Sequence, residues 1–168
     1  MPSSRGAALA QVARWSASNP AAGITDATRT LGETGDVERH HEWASVTKLI
    51  TTLCVLRLVD QGEIALDEPV GPPESTVRHL LAHASGLGFD EGAAISKPER
   101  RRVYSNAGFD LLGALVSERS GTPFARYVAE AVFEPLGMQA SRIEGTPSAG
   151  GVGPLVDLLR FARELLLP

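Results

Sequence analysis

The sequence has little cysteine and no long apolar run, and each lack excludes a class of protein. Cys54 is the one cysteine, so no disulfide can form within the chain, and its apolar neighbours predict a small buried side chain. No apolar run approaches the length of a membrane span, so we expect no membrane association. Polar residues interrupt residues 1–20 where a signal peptide needs an apolar core, which favours a cytoplasmic location.

Positive charge is also scarce. The chain has 16 Lys and Arg residues against 20 Asp and Glu residues, which gives a net charge of -4 without any basic stripe. Nucleic acid is therefore not an expected partner. At 168 residues, 43% of them hydrophobic, the chain is long enough to build a core, and we expect residues 1–168 to form a single domain.

Helical patterns dominate the chain after residue 45. The strongest covers residues 46–60, where apolar residues occupy most of the circumference and predict a central helix that is buried nearly all round. Further helices are predicted over residues 7–16, 76–83, 107–119 and 124–133, and from residue 154 onward. Strand candidates are few: they are residues 23–28 and 28–31, all before Ser45, with a predicted turn at 32–36.

Ser45 and Lys48 form the most informative pattern in the chain. Two residues three positions apart lie on one face of a helix, one turn from each other. There the lysine amine can take the hydroxyl proton and convert a weak nucleophile into a strong one. If Ser45 begins the helix, its backbone N–H and the helix dipole both stabilise the oxyanion that forms on an attacked carbonyl. The pattern therefore indicates acyl transfer.

Tyr104-Ser105-Asn106 is a second uncommon pattern, because the chain has only two tyrosines and two asparagines. A phenol can carry a proton, and an asparagine amide both donates and accepts hydrogen bonds. The alternative interpretation is structural: a capping serine stands beside an exposed lysine, with a tyrosine packed nearby. The joint occurrence of the two patterns favours a catalytic site.

Together these patterns resemble the penicillin-recognising serine hydrolases, which include class C β-lactamases, D-alanyl-D-alanine carboxypeptidases and related esterases. Residues 43–48, Trp-Ala-Ser-Val-Thr-Lys, resemble the nucleophile motif of the family, and Tyr104-Ser105-Asn106 resembles its second motif. The resemblance covers about residues 8–167, because three further segments are similar to family segments. These segments are residues 79–87, 134–138 and 153–166.

One motif of the family is absent. Its third motif, Lys-Thr-Gly or His-x-Gly on a strand along the opposite wall of the site, does not occur in residues 1–168. The resemblance therefore implies an α+β protein with the β-lactamase/transpeptidase-like fold, here mainly its helical part with a short N-terminal β-hairpin and without the C-terminal strands. We expect a C-terminally incomplete domain: a truncated form, a fragment, or one half of a split protein whose partner polypeptide supplies the missing strands.

Two other patterns suggest weaker alternatives. His79 and His83 are four positions apart, but no third ligand and no His-Glu-x-x-His motif accompany them, so we expect no metal site. Residues 145–153 are rich in glycine but lack the Gly-Lys-Ser/Thr ending of a phosphate loop. We interpret that segment as a mobile connection.

The resemblance implies a serine hydrolase that cleaves a small ester, amide, β-lactam or D-Ala peptide substrate without a metal or organic cofactor. It makes Ser45 the nucleophile, Lys48 the general base, Tyr104 the proton relay to the leaving group, and Asn106 a group that positions the substrate or the lysine. The lack of a signal peptide favours an esterase-like substrate over a cell-wall substrate. The second hypothesis is a catalytically inactive or partner-completed binding module that keeps the helical part of this fold.

Overall fold

The computed structural model describes residues 4–90 and 92–167 and contains two compact units. The helical unit consists of Trp43–Val132 and Ile143–Gly151, and the strand unit consists of residues 4–42, 133–142 and 152–167. Every helix in the described residues is too short or too polar to span a bilayer. The single domain expected over residues 1–168 stays a prediction.

The strand unit begins with helix α1 (Ser4–Ala10), a 3-10 turn (Val12–Arg14) and an antiparallel hairpin of β1 (Ala22–Thr25) and β2 (Thr30–Thr34). The turn of this hairpin lies at residues 26–29, because the Asp26 carboxylate accepts hydrogen bonds from the Thr28 and Arg29 backbone N–H groups at 2.8 and 2.9 Å. An aspartate that closes a turn in this way competes with strand pairing locally. The turn predicted at residues 32–36 is therefore wrong, since most of that range belongs to β2.

A second sheet contains β3 (His40–Glu42), β4 (Arg142–Ile143) and β5 (Gly151–Pro154) in the order β3-β5-β4. Strands β3 and β5 are antiparallel, with His41 opposite Gly153. Helix α6 (Leu155–Leu166) follows β5 directly and packs on β1. The expectation that all strands precede Ser45 is wrong, because β4 has only two residues and β5 consists mostly of glycine and proline, so neither carries an alternating pattern.

The helical unit contains α2 (Thr47–Asp60), α3 (Val77–Leu81), α4 (Asn106–Ser120) and α5 (Phe124–Val128), and a π-helical turn at Ala129–Phe133 follows α5. Helix α4 packs against α2, α3 and α5. Ser105 begins α4 as its N-cap by accepting a hydrogen bond from the Gly108 N–H at 3.0 Å, and Gly121 ends it with a left-handed backbone. The buried core between these helices includes Ile50, Val55, Leu58, Val77, Leu80, Phe109, Leu112, Val116 and Val128.

Helix α2 is buried on one side only, which corrects the prediction that it is buried nearly all round. Val46, the residue just before α2, is 41% exposed, Leu49 is 51% exposed, and Leu56, two turns after Leu49, is 43% exposed. Residues at these spacings share one face of a helix, so they form an apolar stripe, called here the α2 stripe. The apolar pattern alone shows that every face can be buried, but it does not show which faces meet a neighbour within this chain.

Packing of α4 makes a prediction that two adjacent leucines can test. Leu112 is fully buried whereas Leu111 is 37% exposed. We expect Leu112→Ala to lower the free energy of unfolding by about 2–5 kcal/mol, because it leaves a cavity in the core. The matched control, Leu111→Ala, should cost clearly less. Urea denaturation followed by circular dichroism measures both, and equal losses would contradict the packing described here.

Candidate active site

Ser45 lies in a 3-10 turn, Ala44–Val46, that leads directly into α2. The turn is anchored by Trp43, a buried residue whose backbone N–H donates to the Gly151 carbonyl at 2.8 Å. Ala44 has a φ of 45°, in the left-handed region that non-glycine residues seldom occupy. Backbone strain of this kind concentrates at functional sites. The strained turn presents the Ser45 side chain on the exposed surface of the helical unit.

Lys48 lies one helical turn after Ser45 and is only 5% exposed. Its Nζ atom donates to Ser45 Oγ at 3.3 Å, to Asn106 Oδ1 at 2.6 Å and to the Ser148 carbonyl at 2.9 Å. An ammonium group has three N–H donors, so all three are used. A buried lysine needs such partners, because an unpartnered charge in a protein interior is costly.

Asn106 is the first residue of α4, and both ends of its amide are held. Its oxygen accepts from Lys48, and its Nδ2 donates to the Asp90 carboxylate at 2.8 Å. Because an ionised carboxylate only accepts hydrogen bonds, Asp90 turns the amide nitrogen toward itself and the amide oxygen toward the lysine. No sequence pattern marks Asp90 as part of the site, since it lies on a loop 16 residues before Asn106 with no motif around it.

Tyr104 lies just before α4, with its ring centroid 4.8 Å from the Lys48 Nζ atom. Burial raises the pKa of the Tyr104 phenol, but hydrogen bonds with Ser45 and Lys48 and the charge of Lys48 outweigh burial. The net effect holds the pKa of Tyr104 below its ordinary value. The phenol of Tyr104 therefore loses its proton more readily than that of a free tyrosine.

The glycine-rich segment is a fixed part of the site, which corrects its interpretation as a mobile connection. Besides the contact of Ser148 with Lys48, the Pro147 carbonyl accepts from the Thr51 hydroxyl at 2.6 Å. The Gly151 N–H donates to Thr47 Oγ1 at 2.9 Å. A Cβ atom added to Gly150 would lie 2.4 Å from the backbone of Gly145, so glycine allows the segment to fold back on itself. Glycine content indicated mobility, but here it permits close backbone contact.

His79 and His83 do not share a ligand. His79 Nδ1 accepts from the Thr76 N–H at 3.2 Å as part of the cap of α3, whereas His83 Nδ1 accepts from the Ser105 N–H at 3.1 Å. Across residues 4–90 and 92–167, no group of three His, Cys, Asp or Glu side chains could hold a metal ion.

The structure brings together the four residues that the sequence singled out: Ser45, Lys48, Tyr104 and Asn106. It adds Asp90 and the Ser148 carbonyl, neither of which a sequence pattern marks. A nucleophile, a lysine one turn away and a phenol with a lowered pKa are the components of acyl transfer. The catalytic roles assigned to these residues stay predictions.

Comparison with known proteins gives one family match and a set of similar proteins. The family described as Beta-lactamase matches residues 12–167. Esterase EstB of Burkholderia gladioli is 34% identical to this chain, over 57% of the chain and 36% of the relative. The D-alanyl-D-alanine-carboxypeptidase/endopeptidase AmpH of Escherichia coli K12 is 28% identical, over 62% of the chain and 37% of the relative. The matched parts span little more than a third of the length of these two relatives.

Solved structures give the same fold. A β-lactamase from Mycobacterium bovis superposes with a TM-score of 0.92 at 42% identity, over 96% of this chain and 60% of that chain. An octameric penicillin-binding protein homologue from Pyrococcus abyssi superposes with a TM-score of 0.76 at 21% identity, over 85% and 51% of the two chains. These superpositions confirm the predicted fold class, a mixed α and β fold of the β-lactamase and penicillin-binding protein type.

The contacts of Tyr104 make a prediction that ultraviolet absorbance can test. The chain has two tyrosines, and burial raises the pKa of Tyr127 whereas the pKa of Tyr104 is lowered. We expect two separated phenolate steps, of which the one at lower pH remains in Tyr127→Phe. In that background Lys48→Met should move the step to higher pH, because it removes a hydrogen bond and a positive charge. Lys97→Met, which removes an exposed lysine, serves as the control. A step that Lys48→Met leaves in place would show that Lys48 does not stabilise the phenolate.

Proposed function

Because the chain belongs to the β-lactamase family of penicillin-recognising serine hydrolases, we propose that it cleaves an ester or amide bond through an acyl-enzyme on Ser45. The observation that carries this proposal is the set of contacts around Lys48 Nζ, which joins Ser45 Oγ to Asn106 Oδ1 in one hydrogen-bonded group. A capping serine beside an exposed lysine, the structural alternative, would not place the lysine in a buried position between two side chains of the site.

The first step is attack of Ser45 Oγ on the substrate carbonyl carbon. Lys48 first gives one ammonium proton to the Tyr104 phenolate beside it, and the resulting neutral amine then takes the hydroxyl proton while the new C–O bond forms and the carbonyl oxygen becomes an oxyanion. Ser45 lies in the 3-10 turn that leads into α2, where the first backbone N–H groups have no acceptor within the turn, so the N–H of Ser45 is the proposed oxyanion donor. The positive end of the helix dipole of α2 acts in the same direction.

The second step is departure of the leaving group. Tyr104 is bonded to both Ser45 and Lys48, so it can pass the proton from the lysine to the leaving oxygen or nitrogen as the tetrahedral intermediate collapses. A water molecule then attacks the carbonyl carbon of the acyl-enzyme. The bond to Ser45 Oγ breaks, the acid is released and Ser45 regains its proton. Asn106 holds Lys48 in place through its oxygen, and its amide nitrogen faces Asp90.

The substrate class proposed is a small ester, amide or β-lactam, with an esterase-like substrate preferred. The preference is supported by the relative named Esterase EstB, which has the higher identity of the two curated relatives described above. The proposed reaction does not require a metal or organic cofactor, because the lysine and the phenol carry the protons. A cytoplasmic location stays a prediction.

Covalent labelling tests the nucleophile directly. A fluorophosphonate probe should label Ser45, and Ser45→Ala should abolish labelling, since only this serine has both a helix N-terminus and a lysine one turn away. The matched control, Ser85→Ala, should keep the label because this hydroxyl is buried. Peptide mass spectrometry locates the modified residue, and a label on any other serine would contradict the assignment.

A second candidate function, a partner-completed or catalytically inactive binding module, rests on the α2 stripe, whereas the relatives described above are named as hydrolases. Val46, Leu49 and Leu56 expose a continuous apolar face on the same helix that carries Lys48. Burial of one fully exposed large apolar side chain contributes roughly 1.5–3 kcal/mol, so covering these three half-exposed side chains would add about 2–4 kcal/mol. We propose that strands from a further polypeptide segment cover the stripe and supply the third motif, which the sequence lacks.

Activity of the isolated 168-residue chain separates the two candidates. If a further segment supplies the second oxyanion donor, turnover of a chromogenic ester should be about 10²–10³ lower than that of a complete hydrolase such as the esterase relative. The isolated chain should also melt at low temperature or aggregate. Thermal melting, size-exclusion chromatography and ester turnover of wild type and Ser45→Ala measure these properties. A monomer that melts cooperatively and hydrolyses esters at the rate of the complete relative would overturn the partner proposal.

A further inference from the structure

His83 lies beneath the candidate site and contacts two of its parts. The residue follows α3, is 7% exposed and has a left-handed backbone with φ 58°. Its ring centroid is 4.5 Å from that of Tyr104 and 5.1 Å from that of Phe109. Lys48 Nζ lies 4.8 and 5.7 Å from these same two aromatic rings. The imidazole of His83 therefore packs against the phenol ring of Tyr104.

The same histidine holds the backbone that carries the second motif. Its Nδ1 accepts a hydrogen bond from the Ser105 N–H at 3.1 Å, and its carbonyl accepts from the Val103 N–H at 2.9 Å. Ser105 stands between Tyr104 and Asn106, so a displacement of its backbone moves both site residues together. The contact at Nδ1 also fixes the chemistry of the ring: a nitrogen that accepts carries no proton, so the imidazole is neutral with its proton on Nε2.

The surroundings of the ring disfavour its protonation. Burial lowers the pKa of His83, and the positive charges of Arg102 and Lys48 lower it further. The titratable groups that face the ring are Lys48 from α2, and Arg102 and Tyr104 from the segment before α4, whereas α4 itself presents the uncharged Phe109. A proton on Nδ1 would point this N–H group at the Ser105 N–H, so that two donors would face each other without an acceptor. It would also add a third positive charge beside the site, next to those of Lys48 and Arg102.

We propose that His83 is a positioning residue whose neutral imidazole holds the Ser105 backbone, and thereby sets Tyr104 and Asn106 against Lys48. The proposal deepens the proposed function and rests on it for its effect on reactivity. Acid is expected to weaken the site by protonating His83. Because the histidine has a lowered pKa, this loss occurs as the pH falls below the ordinary range of histidine.

Two substitutions separate the hydrogen bond from the packing. His83→Asn keeps an acceptor oxygen and tolerates a left-handed backbone, but it cannot be protonated in this range. His83→Phe keeps a ring against Tyr104 but removes the acceptor. His40→Gln, which removes an exposed histidine of the strand unit, is the matched control for loss of a titratable imidazole.

The first measurement is the second-order rate constant of fluorophosphonate labelling of Ser45 as a function of pH. Wild type and His40→Gln should show an acid limb that follows His83, and His83→Asn should lose this limb and keep most of the labelling rate at neutral pH. His83→Phe should label up to about 10²-fold more slowly, the loss typical of misplaced catalytic groups. An acid limb that persists in His83→Asn, or that disappears in His40→Gln, would overturn the proposal.

The second measurement does not depend on reactivity, so it separates failure of this proposal from failure of the proposed function. In a Tyr127→Phe background, the phenolate absorbance of Tyr104 should titrate at higher pH in His83→Phe, because the phenol moves away from Lys48. His83→Asn should restore the wild-type titration. A Tyr104 titration that is unchanged in folded His83→Phe sinks the positioning role even if Ser45 labels as expected. If His83→Phe fails to fold, the acid limb of His83→Asn decides.

Discussion

The helical unit depends on one buried cation, the ammonium group of Lys48. A charge that is 95% removed from water must find partners in the protein, and here each of its N–H groups finds one acceptor. The three acceptors come from three distant parts of the chain: the turn before α2, the start of α4 and the glycine-rich segment around Ser148. Folding of these parts around one cation is what assembles the site.

That cation also explains why neighbouring groups adopt their observed orientations. The amide of Asn106 has its oxygen toward Lys48 because Asp90 accepts from its nitrogen, and the pKa of Tyr104 is lowered because the same lysine lies against the phenol. Hydrogen bonds that are linked in one network strengthen each other and restrict each other's geometry. The glycine-rich segment is held for the same reason, since its Ser148 carbonyl is one of the three acceptors.

The sequence predicted the site residues that belong to its two motifs and failed for the loop groups that no motif marks. The closeness of Ser45, in the turn before α2, to Lys48 on α2 follows from helical spacing, and the boundaries of α4 follow from its cap and its final glycine. No periodicity marks Asp90, because a loop residue reaches a site only through tertiary folding. The Ser148 carbonyl is not marked either, because every residue type has a backbone carbonyl. For the same reason the two-residue strand β4 and the exposed face of α2 were not predicted.

The chemistry around Lys48 is itself an argument that the residue is kept for function. Replacing a buried charged group and its partners with apolar residues of similar volume is often neutral, or stabilising by about 1–4 kcal/mol. The surroundings of Lys48 include the aromatic rings of Tyr104 and Phe109, so an apolar side chain of similar length would find suitable neighbours there. The lysine at this position has three acceptors from separate segments, beside a strained turn at Ala44 and a loop that depends on glycine. Stability alone gives no reason for such a set of constraints, whereas the proposed activation of the adjacent Ser45 hydroxyl does.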